Sequence, residues 1–193
     1  MAELQFPRFL APSAVEPADP ATRLDLVAAP AGVRTLAVPL AKQEMDNWCW
    51  AAVTAAIEAY YQEPFAEIQC AVATRWLSEP CCPPSQDKSS PLQNSMYDLV
   101  TALRGNAAGR ALGGQFQDAD LRSEIDAKRP LCCVLGKDGV PNHVILAVGY
   151  TEGGDIVLND PAAPGLQFTP VGTFRTGYAG GGTWMDSLMT QKA

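Results

Sequence analysis

Little of this chain is basic and none of it is apolar over any length. Lys and Arg total 14 against 21 Asp and Glu, a net charge of −7, and no basic run or basic-aromatic stripe interrupts that balance. Phosphate binding rests mainly on clustered Lys and Arg, so nucleic acid is not an expected partner. No apolar stretch approaches the ~20 residues that a membrane span needs, and a soluble protein is expected. The first thirty residues also lack the continuous apolar core of a secretory signal, being broken by Pro7, Pro12, Pro17, Pro20, Pro30 and scattered charges. Export by the classical signal-peptide route is therefore not expected. Histidine is scarcest of all, since His143 is the only one.

Cysteine, by contrast, is plentiful. Six are more than a cytosolic protein of this size normally carries, yet Cys81-Cys82 and Cys132-Cys133 are adjacent pairs, which leaves the redox compartment open. Cys70, Cys81 and Cys82 combine a helix cysteine with a vicinal pair in a Pro-rich loop. Zinc normally takes four Cys or His ligands, and these three have no fourth nearby, so a structural disulfide or free thiols are expected and no metal or cofactor. Cys132 and Cys133 fall in a predicted buried strand, where at least one should be an inert core thiol.

At 193 residues the chain is long enough for one core and short for two. Residues 1–34 are rich in Ala and Pro without periodicity and read as an irregular arm; residues 35–193 read as one domain. Trp50, Val53, Ile57 and Tyr60 or Tyr61 recur at helical spacing, predicting a buried helix that starts beside Cys49 with Asn47 available as cap. Further helices are predicted through Ile68, Ala71, Val72 and Trp76, through Met96, Leu99, Val100 and Leu103 up to Gly105, and from Asp118 to before Pro130 through Leu121 and Ile125. After Pro130 the pattern changes to strands: Leu131 to Leu135, a turn at Gly136–Gly139, His143 to Tyr150, a turn at Gly153-Gly154, and Ile156 to Asn159. Helices followed by strands predict an α+β domain with a cleft between a helical half and a sheet half.

The chemistry-bearing residues meet in that scheme. A neutral thiol is a poor nucleophile and needs an imidazole or a helix N-terminus to hold it as thiolate. Cys49 at the first turn of a helix, with His143 opening a strand, supplies both. Gln43, six residues earlier, can aim its side-chain amide at the space that the Cys49 backbone N–H faces, and two such donors make an oxyanion hole. The following strand ends Val157-Leu-Asn159-Asp160-Pro161. Side chains alternate along a strand, so only one of Asn159 and Asp160 can orient His143. Asp160, where Pro161 breaks the strand, is preferred because a carboxylate would fix the tautomer and stabilise imidazolium; Asn159 is the competitor.

Gln43 to Ala52, the run Asn142-His-Val-Ile-Leu-Ala-Val-Gly-Tyr150 and Leu158-Asn-Asp-Pro161 together resemble papain-like cysteine peptidases. The likeness is to the compact bacterial branch that holds plant-pathogen effector peptidases and, more distantly, the leader-cleaving peptidase domains of bacteriocin transporters. It spans about residues 36 to 190, with Phe174-Arg-Thr-Gly-Tyr178 and Trp184 similar to that branch's closing strands. It implies Cys49 as nucleophile, His143 as base and then acid, Asp160 as orienting residue, Gln43 in the oxyanion hole and a protein or peptide substrate. The implied setting is the cytoplasm, or delivery as an effector by a route without a signal peptide. One departure is the loop at Cys81-Cys82-Pro-Pro and the Gly113-Gly114 segment, which could rim the cleft. Acyl transfer to an amine, or a catalytically inactive module that binds protein segments, are the alternative functions.

Overall fold

The computed structural model describes residues 32–84, 98–111, 114–178 and 182–193. The expected arm lies almost wholly outside these, as do Met96 and Gly113. Only its last residues are described, and Val33 and Arg34 belong to a short strand, β1 (Val33–Thr35).

The helical half follows. Helix α1 (Cys49–Tyr60) is buried on nearly every side, because Ala51, Ala52 and Ala56 permit close approach while Trp50, Val53 and Ile57 fill the core. The residue at its N-cap is Trp48, not Asn47 as expected; the Trp48 carbonyl accepts the first helical bond from the Ala52 N–H at 2.9 Å, which sets the start at Cys49. Helix α2 (Gln69–Leu77) ends at Ser78, which turns left-handed at φ 58°. Ile68, expected on its apolar face, precedes the helix and is 68% exposed. The predicted third helix is much shorter: α3 (Leu99–Ala102), capped by Asp98, gives way to a 3-10 turn at Arg104–Asn106 and leaves Val100 exposed. Arg75 of α2 pairs at 2.9 Å with Glu58, a carboxylate of α1 that is otherwise wholly enclosed.

The sheet half comprises β2 (Ala107–Ala111), β3 (Leu131–Lys137), β4 (Val140–Thr151), β5 (Asp155–Asp160), β6 (Ala163–Pro170) and β7 (Thr183–Thr190), with α4 (Asp118–Asp126) before β3 and α5 (Val171–Thr176) after β6. Strands run antiparallel in the order β2-β7-β3-β4-β5-β6, and β1 pairs with β4 off that path. Val144 to Tyr150 are buried without interruption, so both faces of β4 are covered. Cys132 and Cys133, which point to opposite faces of β3, are both fully buried. Burial pushes the Cys132 thiol up to about 12 and Cys133 upward as well. At Gly149 a Cβ would meet the Arg34 carbonyl at 2.2 Å, so glycine there is what lets β1 lie across β4.

Three elements depart from the expected strand pattern. β6 is an edge strand carrying Pro164, Gly165 and Pro170, residues that read as a loop. Phe174 sits in the short helix α5, not in a closing strand. β7 does occupy the sheet interior with Trp184, but a bulge opposite Val134 and Leu135 breaks its alternation. Cys70 and Cys82 form a disulfide, and Cys81 is a buried free thiol. Among the described residues no helix is long and apolar enough to cross a membrane.

Candidate active site

Helix α1 packs on β4, and the three candidate side chains come from the ends of different elements: Cys49 from the first residue of α1, His143 from β4, Asp160 from the last residue of β5. His143 Nε2 lies 2.7 Å from Asp160 Oδ1. That leaves Nδ1 as the ring nitrogen for the thiol, and Cys49 is the second hydrogen-bond partner of the imidazole. Asn159 faces elsewhere, its Oδ1 accepting the Gly165 N–H at 3.1 Å. Of the two candidates, Asp160 is the one whose side chain meets the imidazole.

Burial of His143 disfavours its charged form, but the hydrogen bonds it donates to Asp160 and Cys49, together with their negative charge, outweigh burial and hold the pKa up at about 9. Burial likewise works against ionised Asp160, yet the bond from His143, the Ala162 N–H at 2.8 Å and the imidazolium charge bring its pKa below the ordinary value. Because the folded state holds the His143 proton more tightly than an ordinary histidine does at 6.5, the raised pKa contributes stability fully below about pH 6.5 and ceases to do so as pH rises through about 9. A reaction that needs imidazolium should therefore lose rate on the alkaline side with a midpoint near 9. A kcat/KM profile falling already near 6.5 would show that the imidazole is not held in this way.

Gln43 is brought to the same place, its backbone N–H donating to the Pro161 carbonyl at 2.8 Å beside Asp160. Its side-chain nitrogen donates to the carbonyls of Met45 at 3.0 Å and Asp46 at 2.7 Å, in the turn leading into α1, while Oε1 is buried and unpaired. Donation to an oxyanion requires one of those two bonds to be exchanged.

Tyr178 carries no sequence signal of its role, standing 18 residues beyond Asp160 after a Gly. Its hydroxyl lies 3.0 Å from Asp160 Oδ2 and 2.8 Å from Gln167 Oε1, and the ionised carboxylate is the stronger acceptor. Phe174 meets the Tyr178 ring edge-on at 5.8 Å and itself packs on Trp184 at 4.9 Å, so the core holds the phenol over the carboxylate. An open cleft of about 370 Å³ lies above these groups, lined by Gln43, Asp46, Asn142, His143, Ala162 and Tyr178 among others. Neither Cys81 to Pro84 nor Gly114 lines it, so the expected rim is not formed by those described residues.

A helix-borne thiol facing an imidazole on an antiparallel sheet, with a carboxylate behind it, is the arrangement of papain-like cysteine peptidases. The model of the peptidase C39-like family matches residues 35–179, and the chain belongs to that family of cysteine peptidases. No curated protein matches it in sequence.

Proposed function

We propose that the protein hydrolyses peptide bonds through a Cys49 acyl-enzyme. His143 imidazolium holds Cys49 as thiolate, aided by the N-terminal dipole of α1. The thiolate attacks the scissile carbonyl; the carbonyl electron pair moves onto oxygen, where the Cys49 backbone N–H and a Gln43 amide hydrogen receive it. As that pair returns, the C–N bond breaks and His143 gives its proton to the leaving amine. Neutral His143 then takes a proton from water, whose oxygen attacks the thioester and frees the acid. Asp160 keeps Nε2 occupied so that Nδ1 serves the sulfur. The observation that carries this reading is the 2.7 Å contact of His143 with Asp160 on an imidazole whose other partner is Cys49.

All four free cysteines are buried, so exposure does not distinguish them. Their partners do: Cys81, Cys132 and Cys133 have pKa values raised by burial, whereas Cys49 faces imidazolium. Iodoacetamide, small enough to enter the cleft, should at pH ~5.5 label Cys49 rapidly and the other three hardly at all, as read by peptide mapping. Uniformly slow labelling would remove the basis of the proposal.

Tyr178→Phe is expected to lower kcat roughly 10-fold with little change in KM, the loss of one hydrogen bond to a charged group. With one donor fewer, Asp160 should protonate at higher pH, and activity should fail earlier on the acid side. An unchanged pH profile would make Tyr178 a packing residue only.

A further inference from the structure

Helix α2 begins at Gln69, whose side chain is not used by the helix. It is 5% exposed and reaches back to the segment before α1: Gln69 Oε1 accepts the Glu44 N–H at 3.1 Å, and Gln69 Nε2 donates to the Lys42 carbonyl at 2.8 Å. Those are the two residues on either side of Gln43. One side chain offering an acceptor and a donor to the flanks of a single residue fixes both the height and the tilt of that residue. The amide cannot be reversed, because N–H would then face N–H and oxygen would face oxygen. On the opposite side, the Gln43 backbone N–H is tied to the Pro161 carbonyl at 2.8 Å, next to Asp160. Gln43 is thus strung between α2 and the end of β5, with its side-chain amide held by the Met45 and Asp46 carbonyls in the turn before α1. The neighbour of Gln69 in α2 is Cys70, joined by its disulfide to Cys82, which anchors the start of the helix from which Gln69 reaches.

We propose that Gln69 is the positioning residue for the oxyanion donor: through its two bonds to Lys42 and Glu44 it sets the distance between the Gln43 amide and the carbonyl that Cys49 attacks. The proposal rests on the peptidase reading of Cys49 and Gln43 given above. Its consequence is selective. A step that builds negative charge on oxygen depends on Gln69, whereas a step at the same sulfur that builds none does not.

Two small reagents separate these steps without knowledge of the natural substrate. Iodoacetamide alkylates Cys49 by forming a C–S bond as iodide leaves, with no oxyanion. p-Nitrophenyl acetate acylates it by addition: the C–S bond forms, the carbonyl pair moves to oxygen, then returns as the C–O bond breaks and p-nitrophenolate departs. Both rates would be measured on the full chain, with Cys49→Ala as background. Gln69→Leu should slow acylation roughly 10-fold and leave alkylation within about twofold, since misplacing one donor loses part of an effect that whole-donor loss makes larger. In Gln43→Ala the same Gln69→Leu change should cost acylation nothing further.

Equal loss in both reagents, no loss in acylation, or an undiminished effect of Gln69→Leu in the Gln43→Ala background would each overturn the proposal. Should Gln69→Leu fail to fold, Gln69→Met, which keeps the length of the side chain and removes the same two bonds without adding a charge, is expected to show the same loss confined to acylation. Slow alkylation of Cys49 in the wild type at pH ~5.5 would instead defeat the peptidase reading itself. Rapid alkylation without acylation in the wild type would defeat the oxyanion assignment of Gln43, and this inference with it.

Discussion

Replacing Cys49 by alanine is expected to lower peptide hydrolysis by at least about 10⁴-fold, to the background of the uncatalysed reaction. His143, Asp160 and Gln43 remain in the variant, but none can accept the acyl group in place of the sulfur. The size of the effect follows from that: the attacking atom and the imidazolium partner act as one unit, and removing either removes most of what both supply. The structural cost should be small. Cys49 is only 1% exposed, so the change deletes one sulfur from a tightly enclosed site and should lower stability by about 1 kcal/mol without altering the fold. Labelled casein, followed by release of fluorescent fragments, reads the activity, and thermal unfolding reads the fold. A folded Cys49→Ala protein that still cleaves casein at the wild-type rate would end the assignment of nucleophile.

Replacing His143 by alanine is expected to be nearly as severe, about 10³- to 10⁴-fold in kcat, with a signature of its own. If His143 imidazolium holds Cys49 as thiolate, as proposed, Cys49 alkylation in the wild type should change little between pH ~5.5 and ~8. In the variant the rate should instead climb steeply toward the ordinary thiol pKa of about 8.5. The variant also leaves Asp160, only 5% exposed, with the Ala162 N–H and Tyr178 but no cation. An uncompensated buried carboxylate destabilises, so the melting temperature should fall. His143→Gln controls for this, since its amide can still donate toward Asp160 while being unable to exchange the proton; it should be better folded and equally inactive. Alkylation curves of the same shape in wild type and both variants would mean that His143 does not activate the thiol.

The helix at Cys49 and the strands around His143 and Asp160 are legible because each is an uninterrupted run long enough to show its pattern. α1 shows apolar residues at helical spacing, and the stretch from Leu131 to Asp160 shows short β-type runs punctuated by Gly turns. Where the period is short or broken, the pattern fails. α3 runs only from Leu99 to Ala102 because Arg104, at φ 52°, ends it, although the apolar spacing continues to Leu103. β6 is an edge strand, able to hold Pro164 because its outer side needs no ladder bonds, and so it resembles a loop. β7 hides its strand character behind the bulge at Met185 and Asp186.

The residues themselves determine the chemistry on offer: a single imidazole, a cysteine at the head of an apolar helix, an amide six positions before it and a carboxylate at a strand end that proline closes. They also determine an α+β order of elements, since periodicity is a local property of the chain. Only the tertiary structure decides which groups meet. Asp160 rather than Asn159 faces the imidazole because the register of β5 against β4 and β6 turns Asn159 toward Gly165. Tyr178 reaches Asp160, and Gln69 grips both flanks of Gln43, across separations for which a sequence has no period. Such contacts are set by how an element packs and how a side chain leaves it, so they exist only once α2, β5 and the aromatic core around Trp184 are assembled.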